Sequence, residues 1–211
     1  MANFVDEAAV DFVRRSFATE DGVLASIKGT CRSRDLPSIT PEAGRFIQLM
    51  LRSIETERVL EIGTCLGYSG VWIARALPSS GTLETIEVDS ERADEAREWF
   101  EKADVDDRVE VHTGKARAVL PTLPTNYYDA VFIDADKESM TEYLDFATRL
   151  TAHGGLVFAD NVFWQGTTFT EGREIDGTAE VRAFVQEALD QSNLDATILP
   201  LGDGLLVGRV G

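Results

Sequence analysis

The sequence predicts an α/β fold: a doubly wound, mostly parallel, seven-stranded sheet with helices on both faces and an antiparallel hairpin at its C-terminal edge. Three observations carry the prediction. Short apolar runs such as Arg58–Ile62, Tyr128–Ile133 and Gly155–Ala159 suit strands of a parallel sheet buried on both faces. Segments with apolar residues at three- and four-residue spacing alternate with those runs, the pattern of strands and helices taken in turn. Finally, Gly202-Asp203-Gly204 separates two further strand-like runs, as a hairpin turn would. At 211 residues the chain is most simply one domain, 1–211, with 1–40 as an N-terminal helical segment, and it is long enough to bury a core without disulfide or metal staples.

The elements follow in order. Val5, Ala8, Ala9, Phe12, Val13 and Phe17 give a first helix one apolar face, expected to pack on the sheet or on a partner subunit. Thr40-Pro41-Glu42 starts the next, with Thr40 as N-cap, proline at the first helical position and an acid in the first turn. Phe46, Ile47, Leu49, Met50 and Ile54 continue it. Strand Arg58–Ile62 then precedes a helix of about Tyr68–Leu77, strand Thr82–Val88 a helix over Ser90–Lys102, and strand Val109–His112 a helix near Lys115–Leu120. Strand Tyr128–Ile133 precedes a helix near Met140–Leu150, and strand Gly155–Ala159 one of about Ala179–Leu189. Ala196–Pro200 and Leu205–Val210 form the hairpin.

Composition narrows the function. A net charge of -17 argues against nucleic acid, whose phosphates are normally met by Lys and Arg. Lysine is confined to Lys28, Lys102, Lys115 and Lys137. Acid excess with few lysines resembles proteins adapted to high salt, where screening relieves self-repulsion; an ordinary acidic protein is the plainer reading. Cys31 and Cys65 lie too far apart to suggest a zinc site or a disulfide framework. His112 and His153 are the two histidines, better read as structural or solvated, and without a serine nucleophile elbow a hydrolytic triad is disfavoured. The N-terminus lacks the features of a signal peptide and no apolar run has membrane-spanning length, so the expectation is a soluble, cytoplasmic protein with no membrane partner.

Chemistry concentrates at strand ends. Val131-Phe-Ile-Asp134-Ala-Asp136-Lys137 and Gly155-Leu-Val-Phe-Ala-Asp160-Asn161 run from apolar strand into acids, and ligands of such sheets collect outside the carboxyl ends of the strands. All the donors are oxygens, which suits Mg2+, Mn2+ or Ca2+ rather than a zinc site built on His or Cys. Asp136 is read as a ligand, as a residue that orients the site, or as a cap of the next helix.

The strand ending Glu61-Ile62 opens into Gly63-Thr-Cys65-Leu-Gly67-Tyr-Ser69-Gly70. Glycines there let the backbone turn tightly and approach a ligand. Their spacing is GxxxGxxG and not the GxGxxG of dinucleotide binders. Glu87, at the end of the second strand, is placed to accept ribose hydroxyls, and Glu61 suits an amine better than a second phosphate. Together these features point to S-adenosylmethionine.

Val59-Leu-Glu-Ile-Gly-Thr-Cys-Leu-Gly-Tyr-Ser, Val131-Phe-Ile-Asp-Ala-Asp-Lys, Gly154-Gly-Leu-Val-Phe-Ala-Asp-Asn-Val and Gly202-Asp-Gly-Leu resemble the cation-dependent class I O-methyltransferases of the caffeoyl-CoA and catechol type, from about Ser38 onward. The resemblance implies a Rossmann-like fold, a homodimer, and S-adenosylmethionine held by Glu61, Gly63, Gly67, Ser69 and Glu87. Ile39, Lys115-Ala116 and Asp134 complete that set, while Cys65 stands where many relatives carry an aromatic. It further implies a divalent cation, Mg2+ foremost, on Asp134, Asp160 and Asn161, with Lys137 as general base.

A lysine beside a cation and a sulfonium favours its neutral form, able to take a phenol proton. The reaction implied is metal-dependent methyl transfer to one hydroxyl of a catechol-like, ortho-dihydroxy aromatic acceptor. Phenylpropanoid thioesters, simple catechols and flavonoid-like polyphenols all offer that pair. Trp164 is a candidate wall for the aromatic, and Gln165–Gly177 reads as a mobile lid or insertion loop beside the site; Trp72 and Trp99 read as helix packing. The alternatives are a cofactor-binding regulatory protein without methyl transfer and a nicotinamide-dependent oxidoreductase.

Overall fold

The computed structural model describes residues 6–211. It contains eight α-helices, α1 (Glu7–Phe17), α2 (Gly22–Ser33), α3 (Pro41–Ser53), α4 (Tyr68–Ala74), α5 (Ser90–Lys102), α6 (Ala116–Val119), α7 (Met140–Leu150) and α8 (Thr178–Asp190). The seven strands are β1 (Arg58–Ile62), β2 (Thr82–Glu87), β3 (Val109–Thr113), β4 (Tyr128–Ile133), β5 (Thr151–Ala159), β6 (Leu194–Leu199) and β7 (Leu205–Val210). They form one sheet in the order β3-β2-β1-β4-β5-β7-β6. β1 to β5 pair in parallel, whereas β7 runs antiparallel to both β5 and β6. The predicted doubly wound sheet with its antiparallel edge is therefore the observed one.

Alternate strand residues face opposite sides. Val59, Ala130, Phe132, Leu156 and Phe158 face the layer containing α2 to α5. Leu60, Ile62, Val131, Ile133 and Val157 face that of α7 and α8. All of these are buried, which explains why the central strands read as predominantly apolar runs.

Three departures from the sequence reading have physical causes. A second helix, α2, lies within the N-terminal helical segment, where the periodicity marks only the first: Asp21 caps it by accepting from the Val23 and Leu24 amides, and Leu24, Ile27 and Cys31 are its buried stripe. Gly22 and Gly29 dilute that stripe with poor helix formers. The first helix does not pack on the sheet. No residue of α1 is buried, Phe12 and Phe17 are 60% and 65% exposed, and α1 is tied to α3 through Arg14, whose Nη2 donates to Glu42 Oε1 at 2.9 Å. Val5, the first residue expected on that face, lies outside the described residues. α4 ends at Ala74 rather than near Leu77, because the last turn before Pro78 tightens to i→i+3 bonds, Ala76 N donating to Ile73 O and Leu77 N to Ala74 O. Among the described residues no helix is long and apolar enough to cross a membrane.

Candidate active site

A cavity of about 590 Å³ opens at the carboxyl ends of β1, β2 and β4, lined in part by Gly63, Cys65, Glu87, Ala116, Asp134 and Lys137. At one end stand the acids. The parallel ladder continues past the strands, with Asp134 N donating to Ile62 O at 2.9 Å and Asp160 N donating to Ile133 O at 3.0 Å. Asp134 and Asp160 are thereby held side by side at neighbouring strand tips. Burial raises the Asp134 carboxyl above its ordinary range. Asp160 is pushed up to about 7, first by burial and then by the charge of Asp134.

Asn161 continues the cluster. Its backbone is left-handed, φ 62, a conformation asparagine tolerates better than most residues. Its side chain donates from Nδ2 to Asp160 Oδ2 at 2.9 Å and accepts from Lys137 Nζ at 2.9 Å. Lys137 also donates to Ala135 O at 3.2 Å. This donor set fits a divalent cation: two crowded carboxylates and a carboxamide oxygen are hard ligands whose mutual repulsion a dication would relieve.

Asp136 stands apart from the other two acids. Its Oδ1 accepts from the Ser139 amide at 3.0 Å and its Oδ2 from the Tyr143 hydroxyl at 2.6 Å. It caps the 3-10 turn Lys137–Ser139 that leads into α7, one of the roles the sequence allows it, and it lines the same cavity as Asp134.

At the other end the glycine turn meets β2. Gly63 has φ 104, and a Cβ there would run into the Asp134 carbonyl, so only glycine lets the turn pass so close to the tip of β4. Gly67, also left-handed at φ 84, begins α4, and its missing side chain makes room for Phe100. Glu61 is fully buried beneath the turn. Its Oε2 accepts from Thr85 Oγ1 at 2.7 Å. Burial dominates, holding its carboxyl up at about 7, with the charges of Asp134 and Glu87 pushing the same way. Its Oε1 has no partner. A buried acceptor left unpaired is costly and rare, and a cationic amine brought to this spot would satisfy it.

Glu87 faces the cavity with its carboxylate held from three sides. Arg92 donates to Oε1 from Nε at 3.1 Å and from Nη2 at 2.7 Å, the Asp89 amide donates to Oε1 at 3.0 Å, and the Cys65 amide donates to Oε2 at 2.8 Å. Ala116 also borders the cavity. Gly67, Ser69, Ile39, Glu61 and Asp160 are buried behind the wall rather than lining it; the lining residue of the Pro37–Ile39 stretch is Pro37.

The far wall is Trp164, whose ring lies 5.3 Å from Lys137 Nζ and whose Nε1 donates to Asp176 O at 2.6 Å. The stretch Gln165–Gly177 lies beside the cavity as expected, and it is braced. Arg182 of α8 donates to the Thr167, Thr168 and Thr170 carbonyls, and Thr167 and Thr178 hydroxyls meet at 2.9 Å.

Sequence reasoning missed Arg92, Tyr143 and Asp203. Arg92 and Tyr143 sit on helix faces where any polar residue is unremarkable, and Asp203, though part of a turn and of a motif shared with the resembled family, carries no sign of the Gln165 amide it accepts from. His112 sits on the sheet, where Nε2 lies 2.8 Å from Glu84 Oε2; the Tyr128 hydroxyl donates to Glu84 Oε1 at 2.8 Å. Glu84, Glu110 and His112 bring their ligand atoms within 4.8 Å of one another, but none of the three lines the cavity, and they are no part of the Asp134 cluster. His153 is exposed at the start of β5.

Comparison with known proteins gives concordant results. A family model described as O-methyltransferase matches residues 18–210. The chain is 34% identical over 206 residues to a catechol O-methyltransferase of Niastella koreensis, covering 95% of this chain and 93% of that one. It is 37% identical over 202 residues to a catechol O-methyltransferase of Mycobacterium tuberculosis, covering 95% and 89%. Among solved structures, the O-methyltransferase TomG of Streptomyces achromogenes in complex with SAM superposes with a TM-score of 0.88 at 33% identity, over 96% of both chains. An O-methyltransferase of Bacillus cereus in complex with SAH gives 0.87 at 30% identity, over 97% of both.

Proposed function

The chain belongs to the O-methyltransferase family, and from that premise we propose that it moves a methyl group from S-adenosylmethionine to one hydroxyl of a catechol-like acceptor with the help of a divalent cation. The observation that carries the proposal is the cluster at the tips of β4 and β5, where Asp134, Asp160 and Asn161 gather hard oxygen donors and Lys137 Nζ reaches Asn161 Oδ1 at 2.9 Å.

S-adenosylmethionine supplies an activated methyl group on a sulfonium, and a cation such as Mg2+ would acidify and fix a hydroxyl brought to it. Asp134, Asp160 and Asn161 would hold the cation. Glu61 Oε1 would take the amino group, and Glu87 the ribose. Gly63 allows the close backbone approach, and Ala116 borders the adenine side.

Lys137 does the protein's own proton chemistry. Its Nζ takes the phenolic proton as the oxygen turns toward the methyl carbon, an acid–base step of the usual kind. Trp164 offers a flat wall for the acceptor ring and, by packing over Lys137, limits where the amine can move. The rest of the catalytic effect is alignment of oxygen, carbon and sulfur in a line, which fixed strand tips deliver.

The experiment is transfer of labelled methyl to a panel of catechols in Mg2+ or in excess chelator. Labelling that chelator abolishes supports the reading. Labelling that survives chelation removes the cation from it, and absence of labelling by a protein that binds S-adenosylhomocysteine favours a cofactor-binding regulator instead.

A further inference from the structure

Glu87 carries more hydrogen bonds than a ribose-binding carboxylate requires, and their distribution is uneven. Oε1 takes three donors: Arg92 Nε at 3.1 Å, Arg92 Nη2 at 2.7 Å and the Asp89 amide at 3.0 Å. Oε2 takes one, the Cys65 amide at 2.8 Å. A carboxylate oxygen offers two lone pairs, so Oε1 is saturated and Oε2 has one left. Both Glu87 and Arg92 line the cavity, with side chains 5% and 33% exposed.

Arg92 is itself set in place by the start of α5. Its amide donates to Asp89 Oδ1 at 3.1 Å in the cap of the helix. The guanidinium therefore reaches back from a fixed turn onto Glu87, and its two donors share one oxygen rather than forking across both.

We propose that Arg92 is a positioning residue which occupies Glu87 Oε1 and leaves Oε2 to accept a single hydroxyl of the cofactor's ribose. The proposal rests on the S-adenosylmethionine reading above and adds to it an asymmetry. A free carboxylate grips a ribose diol through both oxygens; this one grips half of it.

The test is calorimetric titration with S-adenosylhomocysteine and its 2′-deoxy and 3′-deoxy analogues. In the wild type one analogue loses affinity by about tenfold or more, as expected when a buried polar group is left unpaired, and the other binds within about twofold of the parent. Arg92→Met releases Oε1 and shrinks the difference between the analogues to under about threefold. Arg92→Lys, with its charge kept and its fork lost, falls between.

Equal losses with both analogues in the wild type would overturn the proposal. So would a difference that survives Arg92→Met, including the case where that variant binds all three ligands more weakly by one common factor, the mark of a merely structural role. Failure of the wild type to bind the parent compound at all would overturn the cofactor reading, and this proposal with it.

Discussion

Lys137 Nζ donates to Asn161 Oδ1 at 2.9 Å, and that bond joins the turn after β4 to the turn after β5. The amine is thus anchored on a residue proposed to hold the cation. Replacing Lys137 with methionine should lower turnover by about 100- to 10,000-fold, the usual worth of a general base, while S-adenosylhomocysteine affinity measured by calorimetry stays within about twofold. A variant with near-normal turnover would move the base elsewhere.

Asp160 and Asp136 should separate cleanly in a thermal-shift experiment with Mg2+. Mg2+ raises the melting temperature of the wild type by mass action but leaves that of Asp160→Asn unmoved. Asp136→Ala loses the bonds from Ser139 and Tyr143 and about 1 kcal/mol of stability, yet keeps the Mg2+ response. Loss of that response in Asp136→Ala would make it a ligand.

Glu61 gives stability a pH dependence of definite sign. Its carboxyl sits at about 7 in the folded protein against an ordinary 4.5. Below 4.5 both folded and unfolded chains hold the proton and nothing is lost. From there to about 7 the unfolded chain ionises first, so stability falls as pH rises, by about 3 kcal/mol in all. Glu61→Gln removes the titration and should melt higher than the wild type at about pH 8, with a flatter profile below and weaker S-adenosylhomocysteine binding throughout. Parallel melting profiles for the two proteins would show that Glu61 does not titrate in this window.

Gly63→Ala tests the closeness of the turn to β4. The added Cβ meets the Asp134 carbonyl, and the residue must hold φ 104. Denaturant unfolding should show a loss of about 3 kcal/mol or more. A loss under about 1 kcal/mol would mean that the two strand tips can part.

Much of this architecture was legible in the residues, for reasons the structure makes plain. Strands with both faces covered are apolar at most positions, so β1, β4 and β5 declare themselves, and the acids at Asp134 and Asp160 mark where the sheet ends and the cavity begins. Thr40 could be read as a cap because capping is local; it accepts from the Ala43 amide at 3.3 Å. Relationships across the chain left no such trace. Nothing in the spacing of Glu87 and Arg92 says that the guanidinium will double back onto one carboxylate oxygen. Nor does Asp136 announce that Tyr143, seven residues on, will claim it. α2 was hidden by its own glycines, and the apolar face of α1 is left uncovered by the other described residues, because periodicity reports an apolar face and not what covers it.

The insertion of β7 between β5 and β6 orders events in time. The loop that follows Asp160 is pinned by the turn preceding β7: Val162 N donates to Gly204 O at 3.1 Å, Phe163 N to Asp203 O at 2.8 Å, and Gln165 N to Asp203 Oδ1 at 2.9 Å. During synthesis a ribosome must release Asp203 and the residues of β7 before Asn161 and Trp164 gain these supports, whereas β1, β2 and the glycine turn emerge far earlier. A nascent chain therefore gains the supports of its acid cluster last, and because Leu205, Leu206 and Val210 of β7 also belong to the buried core, premature termination near residue 200 would cost the sheet its packing as well as the brace behind Asn161.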